Sequence, residues 1–234
     1  MGDLFVIRHA QASFGGENYD RLSDLGRRQA GILGDYLSRF GPFHSVHSGT
    51  LERQTATAES IISRLSPRGQ SPRLHAADPL NEYDSTAIIT SQLPRLTRED
   101  PSLSGLLEHI RTDRRSLQRI LERAMLSWIS GRYPAPGVET WQAFNRRVRD
   151  GVAEIIRDAG RKKRVLVCTS GGPISVLMQM ALGLSDEETI QLGWQIRNAS
   201  VSTFKYNDTR LTLTSFNTVG HLEFQNEPNL ITYR

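Results

Sequence analysis

The chain has 234 residues, 38% of them hydrophobic and 23% charged, which permits one sizeable core with room for an inserted subdomain. Its single cysteine, Cys168, excludes an intrachain disulfide framework and any cysteine-based metal knuckle, and no apolar run approaches the ~20 residues needed to span a bilayer. The net charge of +4 resides almost entirely in arginines interleaved with acids, so neither a nucleic acid nor a membrane is expected as a partner. Met1-Gly2-Asp3 lacks the charged start and small-residue cleavage site of a signal peptide, so a cytoplasmic location is expected.

Leu4-Phe5-Val6-Ile7 is short and continuously hydrophobic, the pattern of a strand buried on both faces. Ser23 can cap a helix from Asp24 to about Arg39, with Leu25, Ile32, Leu33, Tyr36 and Leu37 on one face. A strand is expected around Ser45 to Ser48, then a helix with Leu51, Thr55, Ala58, Ile62 and Leu65 inward. Residues 66–72 are turn-rich, and Arg73 to Ala77 reads as a short strand. From Asp84 to Pro136 the pattern changes. Leu106, Ile110, Leu117, Leu121, Ala124 and Trp128 recur at threes and fours, bounded by Pro94 and Pro101 before and by Pro134 and Pro136 after.

A second amphipathic helix, with Trp141, Phe144, Val148, Val152 and Ile156 inward, returns the chain to the sheet. Val165 to Thr169 is a buried strand, which Gly171-Gly172 turns into a helix starting near Pro173. Ser185 to Glu188 forms a capping box, and residues 201–206 and 211–216 read as a hairpin joined through Asn207-Asp208. The alternation of strands and helices predicts a single α/β domain over 1–234, a three-layer sandwich with a mainly parallel sheet flanked by helices. Residues 84–136 are expected to form a helical insertion, a lid over the carboxyl ends of the strands, because ~50 residues are marginal for an independent core.

Four segments can be read as one phosphate site. Arg8-His9 follows the first strand, where open α/β sheets place their ligands. Ser48-Gly49-Thr50-Leu51-Glu52-Arg53 passes through a tight turn and sets Arg53 one turn inside a helix. Leu80-Asn81-Glu82 offers a carboxylate in a loop. Thr169-Ser170-Gly171-Gly172 opens a helix whose free amides and dipole favour an anion. His44, His47, His75 and His109 have no supporting constellation, whereas His221 could lend an imidazole from the C-terminal end.

These residues resemble the histidine phosphatase superfamily, the phosphoglycerate mutase-like proteins. Arg8-His9-Ala10 is similar to its Arg-His-Gly, and Leu22-Ser23-Asp24-Leu25-Gly26 with Gln29-Ala30 to its Leu-Thr-x-x-Gly-x-x-Gln-Ala. Leu51-Glu52-Arg53 with Thr57-Ala58 is similar to Leu-x-Arg-Ala-x-x-Thr-Ala, Leu80-Asn81-Glu82 to the acid-bearing segment, Gly137-Val138-Glu139-Thr140 to Gly-Glu-Ser, and Asn198-Ala199-Ser200 to the late Asn-x-Ser. The resemblance implies that His9 is a nucleophile forming a phosphohistidine, that Arg8 and Arg53 clamp the phosphoryl oxygens, and that Glu82 protonates the leaving oxygen, with Glu139 a rival acid. It implies no metal and no cofactor, and a phosphorylated small molecule or peptide as substrate.

One position departs from the pattern. Where the resemblance calls for Ser-His-Gly-Gly, this chain has Thr169-Ser170-Gly171-Gly172. Ser170 can donate one hydrogen bond but carries no charge, and one lost donor at such a site costs about 10²–10³ in rate. Ser170 and the Gly171 amide are expected to face the anion. A phosphomonoesterase therefore stands beside a pseudophosphatase that binds a phosphorylated ligand with little turnover. A mutase, or a serine hydrolase built on Ser170, Asp208 and His221, is the remaining alternative.

Overall fold

The computed structural model describes residues 1–13, 20–69, 72–103 and 114–233. Leu106, His109 and Ile110 fall outside them, as does the side chain of Leu117. The chain divides into two compact units, Met1–Glu82 with Arg147–Arg234, and Tyr83–Arg146. No helix among the described residues is long and apolar enough to cross a membrane.

The first unit is built on a six-stranded mixed sheet in the order β3-β2-β4-β1-β5-β6, formed by β1 (Gly2–Arg8), β2 (Ser45–Ser48), β3 (Leu74–Ala76), β4 (Arg164–Thr169), β5 (Val201–Tyr206) and β6 (Leu211–Thr218). The first four strands are mutually parallel, and β5 and β6 add an antiparallel hairpin beside β1. The hairpin turn takes four residues, with Asn207 Oδ1 accepting from the Thr209 amide at 3.0 Å and the Arg210 amide at 2.8 Å. Successive strand residues face opposite sides of a sheet. Phe5, Ile7, Leu166 and Cys168 pack with α1 (Asp24–Leu37) and α2 (Glu52–Leu65). Leu4, Val6, Val165 and Val167 are equally buried on the other face, where α6 (Gly171–Leu182) packs against β1 and β6. Both faces are therefore covered, and β1 and β4 are continuously apolar for that reason. Burial also drives the Cys168 thiol well above its ordinary pKa, which makes it inert.

Several helices depart in detail from what periodicity predicts, α1 among them, where Leu33 and Leu37 are buried but Leu25, Ile32 and Tyr36 only partly so. The buried face of α2 is Arg53, Gln54, Thr57, Ala58, Ile61 and Leu65, so Thr55 and Ile62 are only partly covered. Polar residues occupy that face because it borders the ends of the strands. In α5 (Trp141–Ala159) Ile155 is buried in place of Ile156. The helix α6 begins at Gly171, two residues before Pro173. The capping box of α7 (Asp186–Gly193) is as expected, with Ser185 Oγ accepting from the Glu188 amide.

The second unit holds α3 (Ser85–Glu99) and α4 (Arg114–Ile129), which pack on each other through Leu96, Ile120 and Ala124, with Leu103 from the segment between them in the same cluster. Asp84 caps α3 through the Ala87 amide, and the helix runs through Pro94, which the sequence reading took as a boundary. Tyr83, Trp128, Trp141 and Phe144 form an aromatic cluster, in which Trp128 Nε1 donates to the Glu139 carbonyl at 2.7 Å. The period change at Asp84 thus coincides with the start of a separately packed helical unit.

His221, in the short helix α8 (Gly220–Glu223), stacks on Tyr36 of α1 at 5.1 Å between ring centroids. Its Nε2 is buried without a hydrogen-bond partner, and burial pushes its pKa down to about 4. It is a core side chain that stays neutral. Between an unfolded pKa of ~6.5 and the folded value the unfolded chain binds the extra proton, so stability is complete above pH 6.5 and falls as pH drops toward 4. Urea midpoints followed from pH 7.5 to 4.5 should therefore decline on acidification. His221→Phe, which keeps the stacking, should remove up to ~3 kcal/mol of that decline.

Candidate active site

Because β1, β2 and β4 are parallel and Arg8 pairs with Thr169 while Ser48 pairs with Cys168, the segments that follow these strands emerge along one edge of the sheet. That edge carries Arg8-His9, the turn into α2, and Ser170 at the start of α6.

His9 is 5% exposed, and its amide donates to the Thr169 carbonyl at 2.8 Å. Its Nδ1 lies 2.8 Å from the Ala10 carbonyl, so the proton resides on Nδ1 and the lone pair on Nε2. Arg53 Nε donates to that Nε2 at 3.1 Å. Burial, then the Arg8 and Arg53 charges, hold the His9 pKa well below the ordinary imidazole value. The ring is therefore a neutral base facing two guanidinium groups.

Several polar contacts fix the loop that carries His9. Thr57 Oγ1 accepts from the Ala10 amide at 3.1 Å and donates to the Arg53 carbonyl, so one hydroxyl ties the loop to α2. Gln29 Oε1 accepts from the Gln11 amide at 2.8 Å, while Gln29 Nε2 donates to the Leu230 carbonyl and to Thr232. Asn198 Nδ2 donates to the His9 carbonyl at 3.2 Å. Gly26 is needed because a Cβ there would lie 2.0 Å from the Gln11 carbonyl oxygen. The Leu-x-x-x-Gly-x-x-Gln-Ala and Asn-x-Ser segments are thus the supports of the His9 loop.

Arg8 Nη1 donates to the Ile196 carbonyl. Arg53 Nη1 pairs with Asp20 Oδ1 at 2.5 Å, and Asp20 Oδ2 accepts from the Glu52 amide at 2.7 Å, so Asp20 holds both Arg53 and the first turn of α2. Nothing in the sequence singles out Asp20, because its partners are more than thirty positions away.

Glu82 Oε2 accepts from the Gly172 amide at 3.1 Å, which places the carboxylate at the N-terminus of α6, where the helix dipole favours negative charge. Its loop is held by Arg147, whose Nη1 donates to the carbonyls of Asp78, Pro79 and Asn81 at 3.4, 3.1 and 2.9 Å. Asn81 Oδ1 accepts from the Thr50 amide at 2.7 Å, joining this loop to the turn before α2. Glu139, the rival acid, belongs to the second unit.

Ser170 is the N-cap residue of α6, yet its side chain makes no capping bond. Its Oγ instead accepts from Gln54 Nε2 at 2.8 Å. Gln54 was missed in the sequence, although the Leu-x-Arg-Ala pattern offers a signal there, since this chain has Gln54 where the pattern has alanine. The serine-hydrolase alternative finds no support in the contacts. Ser170 meets Gln54, Asp208 pairs with Arg161, and His221 stacks on Tyr36. His47 and His75 stack on each other across β2 and β3, and His44 is exposed.

The sequence model of the histidine phosphatase superfamily (branch 1) matches residues 4–85 and 105–219, and the chain belongs to this superfamily. It is 26% identical over 226 residues to the bifunctional protein Rv2228c of Mycobacterium tuberculosis, covering 94% of this chain and 54% of that protein, so the chain spans about half the length of the curated relatives it matches. Among solved structures, phosphoglycerate mutase from Bacillus anthracis shares 19% identity and a TM-score of 0.65, with 97% of each chain covered. Mycobacterial glucosyl-3-phosphoglycerate phosphatase with VO3 shares 21% identity and a TM-score of 0.65, covering 94% of this chain and all of that one. At such identities these two similarities establish the fold.

The support of the His9 loop is directly testable. Gly26→Ala forces a methyl group against a backbone carbonyl and should destabilise the protein by about 1–3 kcal/mol. A fall in the thermal midpoint of this variant, compared with Gly31→Ala on the same helix, is the measurement. The Gly31 Cβ would meet nothing closer than 3.5 Å.

Proposed function

We propose that this protein is a phosphomonoesterase that acts on a phosphorylated small molecule or peptide through a phosphohistidine at His9. The observation that carries this reading is the neutral His9 ring, its Nε2 lone pair aimed at Arg53 and its Nδ1 proton engaged by the Ala10 carbonyl. Superfamily membership and the activities of the structural relatives support it.

The incoming phosphoryl group draws the Arg53 guanidinium onto its oxygens, which frees Nε2. Arg8 and Arg53 then share the anionic charge through planar forks. Glu82 enters the step protonated, having taken up a proton as the phosphoryl dianion arrives beside it; Nε2 attacks phosphorus, the phosphorus–oxygen ester bond breaks, and the leaving oxygen takes that proton. Water next attacks the phosphohistidine, giving its proton to Glu82 and releasing inorganic phosphate and the free imidazole. Ser170 and the Gly171 amide contribute hydrogen bonds to the phosphoryl oxygens. The missing imidazole at position 170 makes this shell less cationic, so turnover is slow relative to what a second histidine would give.

Phosphate release from a panel of phosphorylated metabolites and phosphopeptides tests the reading. His9→Ala should cut release to below about one-thousandth and abolish an acid-labile phosphoenzyme, and Glu82→Gln should lower kcat by about 10²–10⁴. If the wild type binds a phosphorylated ligand tightly but releases no phosphate, the protein is a pseudophosphatase. Phosphate transfer to a second substrate hydroxyl in preference to water would indicate a mutase.

The pH dependence has a defined sign. Because the folded His9 pKa is lowered, the imidazole remains unprotonated as pH falls through 6.5. A plot of log kcat/KM against pH should therefore show no acid limb at an ordinary histidine value. A limb near 6.5 that shifts in Arg53→Lys would contradict the neutral-nucleophile assignment.

A further inference from the structure

We propose that Gln54 is a positioning residue for Ser170: its amide holds the Ser170 oxygen as an acceptor and so leaves the hydroxyl's single proton for the phosphoryl group. This inference rests on the phosphatase reading above and deepens it.

Gln54 is fully buried, and its Nε2 donates to Ser170 Oγ at 2.8 Å and to the Leu80 carbonyl at 3.3 Å. The Leu80 carbonyl fixes the orientation of the amide, because turning it over would set two carbonyl oxygens against each other. Ser170 therefore receives a hydrogen bond from Gln54 and does not give one. A serine hydroxyl has one proton and two acceptor sites. The helix makes no claim on the hydroxyl, since Ser170 is an N-cap residue whose side chain accepts no capping bond among the described residues. With one lone pair engaged, the hydroxyl keeps its donor for another acceptor at the edge where His9 and Arg53 meet.

The cost of this arrangement is visible on the same side chain. Gln54 Oε1 is buried with no hydrogen-bond partner among the described residues, and a Cβ at Gly49 would come within 1.9 Å of it. An alkyl chain of equal length would fill this space without stranding an acceptor. The amide is thus tolerated at a penalty that only its donor bonds offset. One of those bonds goes to Leu80, two residues before Glu82, so the same amide ties Ser170 to the loop of the proposed acid.

The test is a double-mutant cycle in which Gln54→Met and Ser170→Ala are made singly and together. It is read by hydrolysis of p-nitrophenyl phosphate and by calorimetric binding of orthovanadate. Gln54→Met preserves length and burial but removes the donor. It should lower kcat and vanadate affinity about 10-fold, with KM changed by less than about 3-fold, whereas in the Ser170→Ala background it should have no further effect. If Gln54→Met fails to fold, Gln54→Glu serves in its place. Its carboxylate accepts from Ser170 and turns the proton away, and protonation at low pH restores a donor. Activity relative to wild type should therefore recover as pH falls, a profile that packing alone does not produce. Independent, multiplying effects of the two substitutions, or wild-type kcat in Gln54→Met, overturn this inference and leave the phosphatase reading intact. Activity that survives His9→Ala overturns both.

Discussion

A buried imidazole that must stay neutral beside two permanent cations is the constraint on which this molecule is organised. Arg8 and Arg53 both act on His9, and their charges, added to burial, make protonation of the ring unfavourable. The surroundings offset the two cations at separate places, with the Ile196 carbonyl on Arg8 and the Asp20 carboxylate on Arg53. An anion arriving at this edge would meet two guanidinium groups and an imidazole that is already deprotonated. The His9 lone pair is held meanwhile by the Arg53 Nε donor, and the proposed phosphoryl chemistry rests on its release.

The rest of the first unit serves to hold this arrangement still. The parallel register of β1, β2 and β4 brings three loops to one edge, and each loop is pinned by a side chain from elsewhere. Thr57, Gln29 and Asn198 fix the His9 loop, Asn81 joins the turn before α2 to the Glu82 loop, and Arg147 braces that loop through three carbonyls. Hydrogen bonds to loop backbone are the economical way to fix such segments, which have no strand or helix partner for their own amides. Ser170 and Gln54 belong to the same logic. At the start of α6 Ser170 and Gln54 form a neutral pair, and Glu82 already supplies the Gly172 amide with an acceptor. Donor direction, and not charge, is what that position can contribute.

How far the site could be read from the residues themselves depends on the kind of side chain. His9, Arg8, Arg53 and Ser170 could be placed from the residues because each ends or follows a strand or lies at the start of a helix, whereas Glu82 lies in a loop and is singled out only through the resemblance; their roles belong to the proposal. The buried face of α2 is rotated from the one apolar spacing predicts. Thr55 and Ile62 fit an apolar stripe, whereas Gln54 is polar, and hydrophobic periodicity is blind to a face that meets a polar site. Asp20 and Arg147 carried no local signal at all, since their partners are remote in the chain. Pro94 bounds the helical stretch that follows it, and it also lies inside α3, which spacing did not predict.

The sequence by itself determined the alternation of strands and helices, the caps at Ser23 and Ser185, the change of packing at Asp84 and the superfamily to which the chain belongs. These are properties of spacing and residue type, and spacing survives without coordinates. Only the tertiary structure decided which His9 nitrogen carries the proton, that Asp20 holds Arg53, that His221 is a core residue stacked on Tyr36, and that Gln54 reaches Ser170. Each of those depends on direction and burial between residues far apart in the chain, and hydrogen bonds and desolvation act through space at distances that no linear pattern encodes.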